Sequence, residues 1–124
     1  MDNHECESDK NIAIIIPYRN RIANLKIFLN NMHPFLTRQK INYGIYLIEP
    51  VGNITFNRGI LMNAGFVEAI KDQRYSDFKW NCFFFHDVDM IPETLKNIYQ
   101  CNDELPVHYA VAISKNNYTY DFKF

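Results

Sequence analysis

Apolar and polar positions change rhythm repeatedly along this chain, and each change marks an element. Residues 12–16, IAIII, form a continuous apolar run rich in β-branched side chains and closed by Pro17. A run without alternation predicts a strand covered on both faces, as in a parallel sheet. From Arg21 onward, Ile22, Leu25, Phe28, Leu29, Met32 and Leu36 recur at helical spacing with polar residues between them. Pro34 is expected to bend or stop that helix near its end. A second strand, roughly Tyr43 to Glu49, leads into a Pro50-Val51-Gly52-Asn53 turn. Ile60, Leu61, Ala64, Val67 and Ile70 then repeat at three or four, predicting a second amphipathic helix running toward Lys71. Asp72 to Lys79 is polar and reads as a surface loop. Cys82 to Phe85 is a third, wholly apolar strand, and a fourth is expected around Val107 to Ile113.

Alternation of strand and helix predicts an α/β domain with a largely parallel sheet. Residues 1–11 are a polar lead-in, and one domain is expected from residue 12 to residue 124. A chain of 124 residues with 48% hydrophobic and 15% aromatic content can bury a core and is not disordered. Its formal charge of −1, with basic residues scattered, argues against nucleic acid or an anionic membrane as partner. No apolar run approaches the roughly 18 residues of a membrane span. The opening MDNHECESDK is the opposite of a signal peptide.

Three loops follow strands at the carboxyl edge of such a sheet, where α/β folds bind their ligands. They are Pro17-Tyr18-Arg19-Asn20-Arg21, the segment with Phe56-Asn57-Arg58, and His86-Asp87-Val88-Asp89. Asp87 and Asp89 are two residues apart, so on an extended backbone they point the same way and repel unless a cation lies between them. Hard oxygen donors suit Mg²⁺ or Mn²⁺, which also coordinate phosphates. The blander reading of Asp-x-Asp is a solvated turn. Guanidinium forks at Arg19, Arg21 and Arg58 match phosphate oxygens. All three sit at helix starts; the blander reading is solvated arginines, but the dipole there disfavours cations, which tilts the reading toward an anionic ligand. Tyr18 can stack on a base or pack beside it, and Asn57 is the natural N-cap of the second helix. His86 alternates to the face opposite the two acids and reads as a packing residue or a support for the ligands. His33 and His108, without evident partners, are read as structural. No Gly-rich phosphate loop or Ser-His-Asp set is present.

Cys6, Cys82 and Cys101 lie too far apart for a metal knuckle; the odd count fits one disulfide plus an orphan, or three reduced thiols. Asn53-Ile54-Thr55 and Asn117-Tyr118-Thr119 are N-glycosylation sequons and point toward a secretory compartment.

IAIIIPYRNRIANLKIFL, YGIYLIEPVGNITFNRGILMNAGFVEAIKD and CFFFHDVDMIPE resemble, in order and spacing, the β-1,4-galactosyltransferase family, glycosyltransferase family 7. The resemblance runs from about Cys6 to about Tyr120. It implies a GT-A fold, a Rossmann-like nucleotide-sugar-binding sheet with flanking helices, incomplete at its C-terminus. Pro17, Tyr18, Arg19, Asn20 and Arg21 match the family's first UDP-binding segment, and Phe56, Asn57 and Arg58 match the second. Asp87, Val88 and Asp89 match the metal-and-diphosphate motif, with Asp89 the Mn²⁺ ligand. The family usually has phenylalanine at Tyr18 and alanine at Gly59. Cys82 and Cys101 match a family disulfide, and Cys6 matches a cysteine whose partner lies upstream. The loop between Asp72 and Asn81 is longer than is usual.

The implied activity is Mn²⁺-dependent transfer, with inversion, of galactose or N-acetylgalactosamine from UDP-galactose or UDP-N-acetylgalactosamine to a glycan acceptor on a glycoprotein or glycolipid. The implied setting is the Golgi lumen, reached as a type II membrane protein through an anchor that these residues lack. The general base and the acceptor segment are expected beyond Phe124, so residues 1–124 alone are expected to be inactive. The alternatives are a non-catalytic UDP- and metal-binding fragment, or partial gene model, and a metal-independent α/β interaction domain.

Overall fold

The computed structural model describes residues 10–72 and 79–108. Five elements follow in order: β1 (Asn11–Pro17), α1 (Ile22–Arg38), β2 (Asn42–Ile48), α2 (Arg58–Lys71) and β3 (Cys82–Phe85). The strands form one parallel sheet in the order β2-β1-β3. Ile14 of β1 is paired with Ile45 on one side and Phe84 on the other. The first crossover runs from β1 outward to β2 and the second from β2 back past β1 to β3, so they travel in opposite directions across the sheet. Right-handed connections therefore put their helices on opposite faces.

The side chains obey this geometry. Ile12, Ile14 and Ile16 join Phe28, Met32 and Leu36 of α1 in one buried cluster. Ile15, pointing the other way, meets Gly65 of α2. Every residue of the IAIII run is at most 2% exposed, as expected for a strand sandwiched between two helices.

Helix α1 passes through Pro34 and ends only at Arg38, so the expected interruption does not occur. Pro34 lacks the N–H that would reach the Asn30 carbonyl, but both residues are solvent-exposed. Beyond it, Leu36 is fully buried and Phe35 stacks edge-on against Tyr99. Full burial of Leu36 contributes about 1.5–3 kcal/mol and the partial burial of Phe35 adds to it, together offsetting a proline cost of about 3 kcal/mol. His33 is not partnerless: its Nδ1 lies 2.5 Å from the Tyr43 hydroxyl.

Helix α2 presents a different face from the one its large apolar residues predict. Leu61, Gly65 and Ala69 are buried, whereas Ile60, Val67 and Ile70 are 63%, 44% and 54% exposed. The sheet accepts small residues here because the helix lies very close to it. A Cβ on Gly65 would fall 2.5 Å from Ile15 Cγ2 and 2.8 Å from Ile48 Cγ1.

A disulfide joins Cys82, the first residue of β3, to Cys101, with Cα atoms 5.7 Å apart. It closes a loop that contains the whole Asp87–Asp89 motif. Val107 and His108 lie outside any strand, and residues 109–113 of the expected fourth strand fall outside the described residues, as do Cys6 and Asn117. None of the described helices is long and apolar enough to cross a membrane.

Two glycines give opposite expectations. Gly65→Ala forces a methyl against buried branch carbons; overpacking of about 1–3 kcal/mol exceeds a helix-propensity gain of about 1 kcal/mol. Gly59→Ala places its Cβ with only Asn57 Oδ1 nearby, at 3.6 Å, and is expected to stabilise by about 0.5–1 kcal/mol. Urea denaturation of both variants checks the two signs. Replacing Cys82 and Cys101 together by serine is expected to cost about 3 kcal/mol in the same assay, on a loop-entropy account of the crosslink.

Candidate functional site

Because the connections run in opposite directions across the sheet, the chain leaves the carboxyl ends of the neighbouring strands β1 and β2 toward opposite faces, into α1 and α2. A crevice opens between them, the position at which open α/β sheets hold ligands. The three segments singled out by sequence all border it.

In the first, Pro17 closes β1 and Tyr18 extends the pairing, its N–H donating to the Ile48 carbonyl at 2.9 Å. Tyr18 is 8% exposed and belongs to the core cluster, so it packs beneath the site. Asn20 has φ +47°, a left-handed conformation that asparagine tolerates better than most residues. Arg21 is the N-cap of α1, makes no side-chain cap, and is followed by a first turn without acids. The helix amino terminus at the crevice is therefore electropositive and not neutralised by its own residues. Arg19 lies with its Cζ 5.7 Å from the centre of the Phe56 ring. Its Nη2 is buried and, among the described residues, has no hydrogen-bond partner. An unpaired buried donor costs about 1–3 kcal/mol, more for a charged group, so this atom favours an incoming anionic oxygen.

The second segment turns at Gly52, φ +69°, and exposes Asn53 and Phe56. Asn57 caps α2 as expected, its side-chain oxygen accepting from the Ile60 N–H at 3.1 Å. Arg58 reaches across to the third segment, where its Nε donates to Asp87 Oδ1 at 2.9 Å. Both partners are partly exposed, so the pair contributes little to stability and mainly sets where Asp87 points.

The third segment departs from the sequence expectation. Strand β3 ends at Phe85, and Val88 and Asp89 occupy a turn closed by the Met90 N–H on the Asp87 carbonyl at 3.4 Å. Strand alternation therefore does not orient Asp87 and Asp89. Instead Arg58 engages Asp87, Val88 is 7% exposed within the core cluster, and Asp89 projects into solvent. Among the described residues the Asp89 carboxylate forms no hydrogen bond or ion pair. No group of three or more His, Cys, Asp or Glu among them could hold a metal alone. Asp89 is nonetheless a hard, ionisable oxygen donor at the sheet edge that also carries Arg19 and Arg21. A divalent ion fits there with a diphosphate supplying further oxygens.

Behind this turn lies a network that the sequence did not reveal. His86 packs edge-on against Phe28, and its backbone N–H donates to the Ile15 carbonyl. Its ring nitrogens face the Asp87 carbonyl (2.7 Å from Nδ1) and the Tyr99 hydroxyl (2.8 Å from Nε2). Tyr99 is buried, and its N–H donates to Gln39 Oε1 at 2.9 Å. Sixty residues separate Gln39 from Tyr99, and no local pattern links them.

Burial pushes His86 below its ordinary pKa of 6.5, outweighing the Asp87 carbonyl contact and the nearby Asp87 and Asp89 charges, which act upward. The unfolded chain thus binds the extra proton first. His86 contributes its full stability above about pH 6.5, and that contribution is lost as pH falls from there through the folded-state value. In metal-free protein, the His86 ring resonances are expected to titrate with a midpoint below 6.5. Denaturation midpoints are expected to fall on acidification across the same window.

Comparison with known proteins agrees with this fold. Residues 1–102 match the model of the N-terminal region of glycosyl transferase group 7. Over 114 residues, 92% of the chain, it is 46% identical to human β-1,4-galactosyltransferase 3 and 44% identical to β-1,4-galactosyltransferase 4 of Cricetulus griseus. Those matches cover 28% and 31% of the two relatives, so the chain spans less than a third of their length. A mutant of Drosophila β-1,4-galactosyltransferase 7, solved in complex with manganese, UDP-Gal and xylobiose, superposes with a TM-score of 0.65 at 31% identity. The alignment covers 77% of this chain and 37% of that one. The catalytic domain of the same enzyme with xylobiose gives a TM-score of 0.63. With its sheet, its three segments and its disulfide in place, the chain belongs to the β-1,4-galactosyltransferase family, glycosyl transferase group 7, and corresponds to that family's N-terminal region.

Proposed function

We propose that this chain is the donor-binding part of a hexosyltransferase. In this reading the enzyme moves galactose or N-acetylgalactosamine from its UDP derivative to a glycan hydroxyl. The observation that carries the reading is the buried, unpartnered Nη2 of Arg19 at the same sheet edge as the unpaired Asp89 carboxylate. One favours an anion and the other a cation, and a metal–diphosphate satisfies both.

Arg19, Arg21 and Arg58 bind the nucleotide's phosphates, with the amino terminus of α1 adding its dipole. Pro17, Tyr18, Asn20, Phe56 and Asn57 shape the nucleotide's cleft, and Val88 anchors the acidic turn. Asp87 and Asp89 face the diphosphate, Asp89 holding Mn²⁺. A bound Mn²⁺ supplies Lewis-acid neutralisation of charge on the departing diphosphate. Transfer forms a bond between the acceptor oxygen and the anomeric carbon while the bond from that carbon to the phosphate oxygen breaks, inverting the centre. The hydroxyl proton goes to a base contributed from outside residues 1–124. The guanidinium groups share the charge that develops on UDP.

The Cys82–Cys101 disulfide and the exposed Asn53 sequon support residence in the oxidising Golgi lumen.

The test is UDP-sugar turnover with Mn²⁺ by the complete protein, with titration of UDP binding alongside. Asp89→Ala is expected to lower transfer by a factor of at least about 100, in line with losing about 3 kcal/mol of charge stabilisation. Arg19→Ala is expected to weaken UDP binding about tenfold or more. Undiminished transfer by Asp89→Ala removes its metal role. Mn²⁺-dependent UDP binding without any transfer supports the non-catalytic alternative.

A further inference from the structure

The turn that carries Asp89 is closed through one atom, the Asp87 carbonyl oxygen. That oxygen accepts from the Met90 N–H at 3.4 Å and faces His86 Nδ1 at 2.7 Å. A carbonyl can only accept, so the proton between it and His86 lies on Nδ1. In the neutral ring Nε2 then carries a lone pair, and it accepts the Tyr99 hydroxyl proton across 2.8 Å. This is one defined tautomer. The opposite tautomer would set the Nδ1 lone pair against the carbonyl oxygen and leave the shorter of the two contacts repulsive.

Tyr99 is itself fixed. Its ring stacks on Phe84 and meets Phe35 edge-on, and its N–H is held by Gln39. Gln39 in turn donates from Nε2 to the Asn97 carbonyl at 2.8 Å. Gln39 is the C-cap of α1. A continuous chain of directed bonds thus runs from the far end of α1 through Tyr99 and His86 to the Asp87 carbonyl.

We propose that His86, held as its Nδ1–H tautomer by the Tyr99 hydroxyl, is a positioning residue that sets the Asp87–Met90 turn and thereby aims the Asp89 carboxylate. The inference rests on the donor-site reading above and adds the group that orients its metal-facing acid. His86 touches neither nucleotide nor metal. Its effect falls on metal-assisted diphosphate binding, because the turn's other anchors hold Val88 and the Asp87 side chain and leave only the 3.4 Å Met90 contact, besides His86, to set the peptide plane at Asp87.

Three variants of the complete protein separate this role from simple packing. Tyr99→Phe keeps every ring contact and removes only the hydroxyl. His86→Phe keeps a ring against Phe28 and removes both polar contacts. His86→Asn returns a donor, Nδ2, to about the place of Nδ1. Supporting groups of this kind typically change metal affinity about 10–100-fold when removed. His86→Phe is expected to raise the Mn²⁺ concentration for half-maximal UDP binding by about that factor, and Tyr99→Phe by a smaller one of about three- to tenfold. His86→Asn is expected to recover most of the loss. KM for the UDP-sugar is expected to rise more than kcat falls, with UDP affinity at saturating Mn²⁺ close to wild type.

Long-range proton–nitrogen spectra of the metal-free protein are expected to show His86 protonated at Nδ1 and bare at Nε2. An Nε2–H tautomer overturns the inference whether or not UDP binds. So does unchanged Mn²⁺ dependence in both His86→Phe and Tyr99→Phe, or a loss that tracks the melting temperature and is not recovered by His86→Asn. Absence of UDP binding by the wild-type protein instead overturns the donor-site reading, and the tautomer then decides the positioning geometry by itself.

Discussion

The central strand β1 is the constraint on which the rest of the structure depends. Its apolar side chains leave neither face available to water, so both must be covered. Parallel neighbours on both sides and helices on both faces supply that cover. The same arrangement forces the strand order to reverse at β1, and the reversal creates the crevice. Core formation and site formation are thus one event: the run that must be buried ends in the loop that must be charged.

Around the crevice, charge is arranged so that it is only partly satisfied. Arg58 and Asp87 neutralise each other, while Asp89 and the Nη2 of Arg19 remain without bonds among the described residues. A site built for solvated surface charge would not bury a guanidinium nitrogen next to an aromatic ring. Leaving it unpaired is a local cost, set against a core that the cost does not disturb. Tyr18 and Val88, which carry the charged neighbours on either side, are both rooted in the cluster formed by α1 and β1. The ligand-facing groups are therefore mounted on packed residues, and the loops have little freedom to rearrange.

The segment after β3 is held by another kind of restraint. It has no regular element through residue 108, yet it is tied at Cys101 by a disulfide, at Tyr99 by rings and a hydrogen bond, and at Asn97 by Gln39. These ties bring a long irregular stretch back against α1 and place Tyr99 behind the acidic turn. The large apolar residues on the outer side of α2 have no such cover among the described residues.

Elements and edge were legible in the chain itself. The IAIII run, the spacing from Ile22 to Leu36 and the CFFF run are local patterns, and local patterns reflect periods that the backbone imposes. Asn57 as N-cap follows from the same local chemistry, and the motifs around Arg19, Arg58 and Asp89 carried the family resemblance. Tertiary structure alone decided which face of α2 is buried, because close approach to Ile15 and Ile48 favours Gly65 and Ala69 over larger neighbours. It carried α1 through Pro34, since the packing of Phe35 and Leu36 outweighs a missing bond. It also put Asp89 on a turn and His86 against Tyr99, itself held by Gln39 sixty residues away, contacts that no periodicity spans. A chain's rhythm sets its elements because those depend on near neighbours; which side chains meet depends on how the elements pack, and that is settled only in three dimensions.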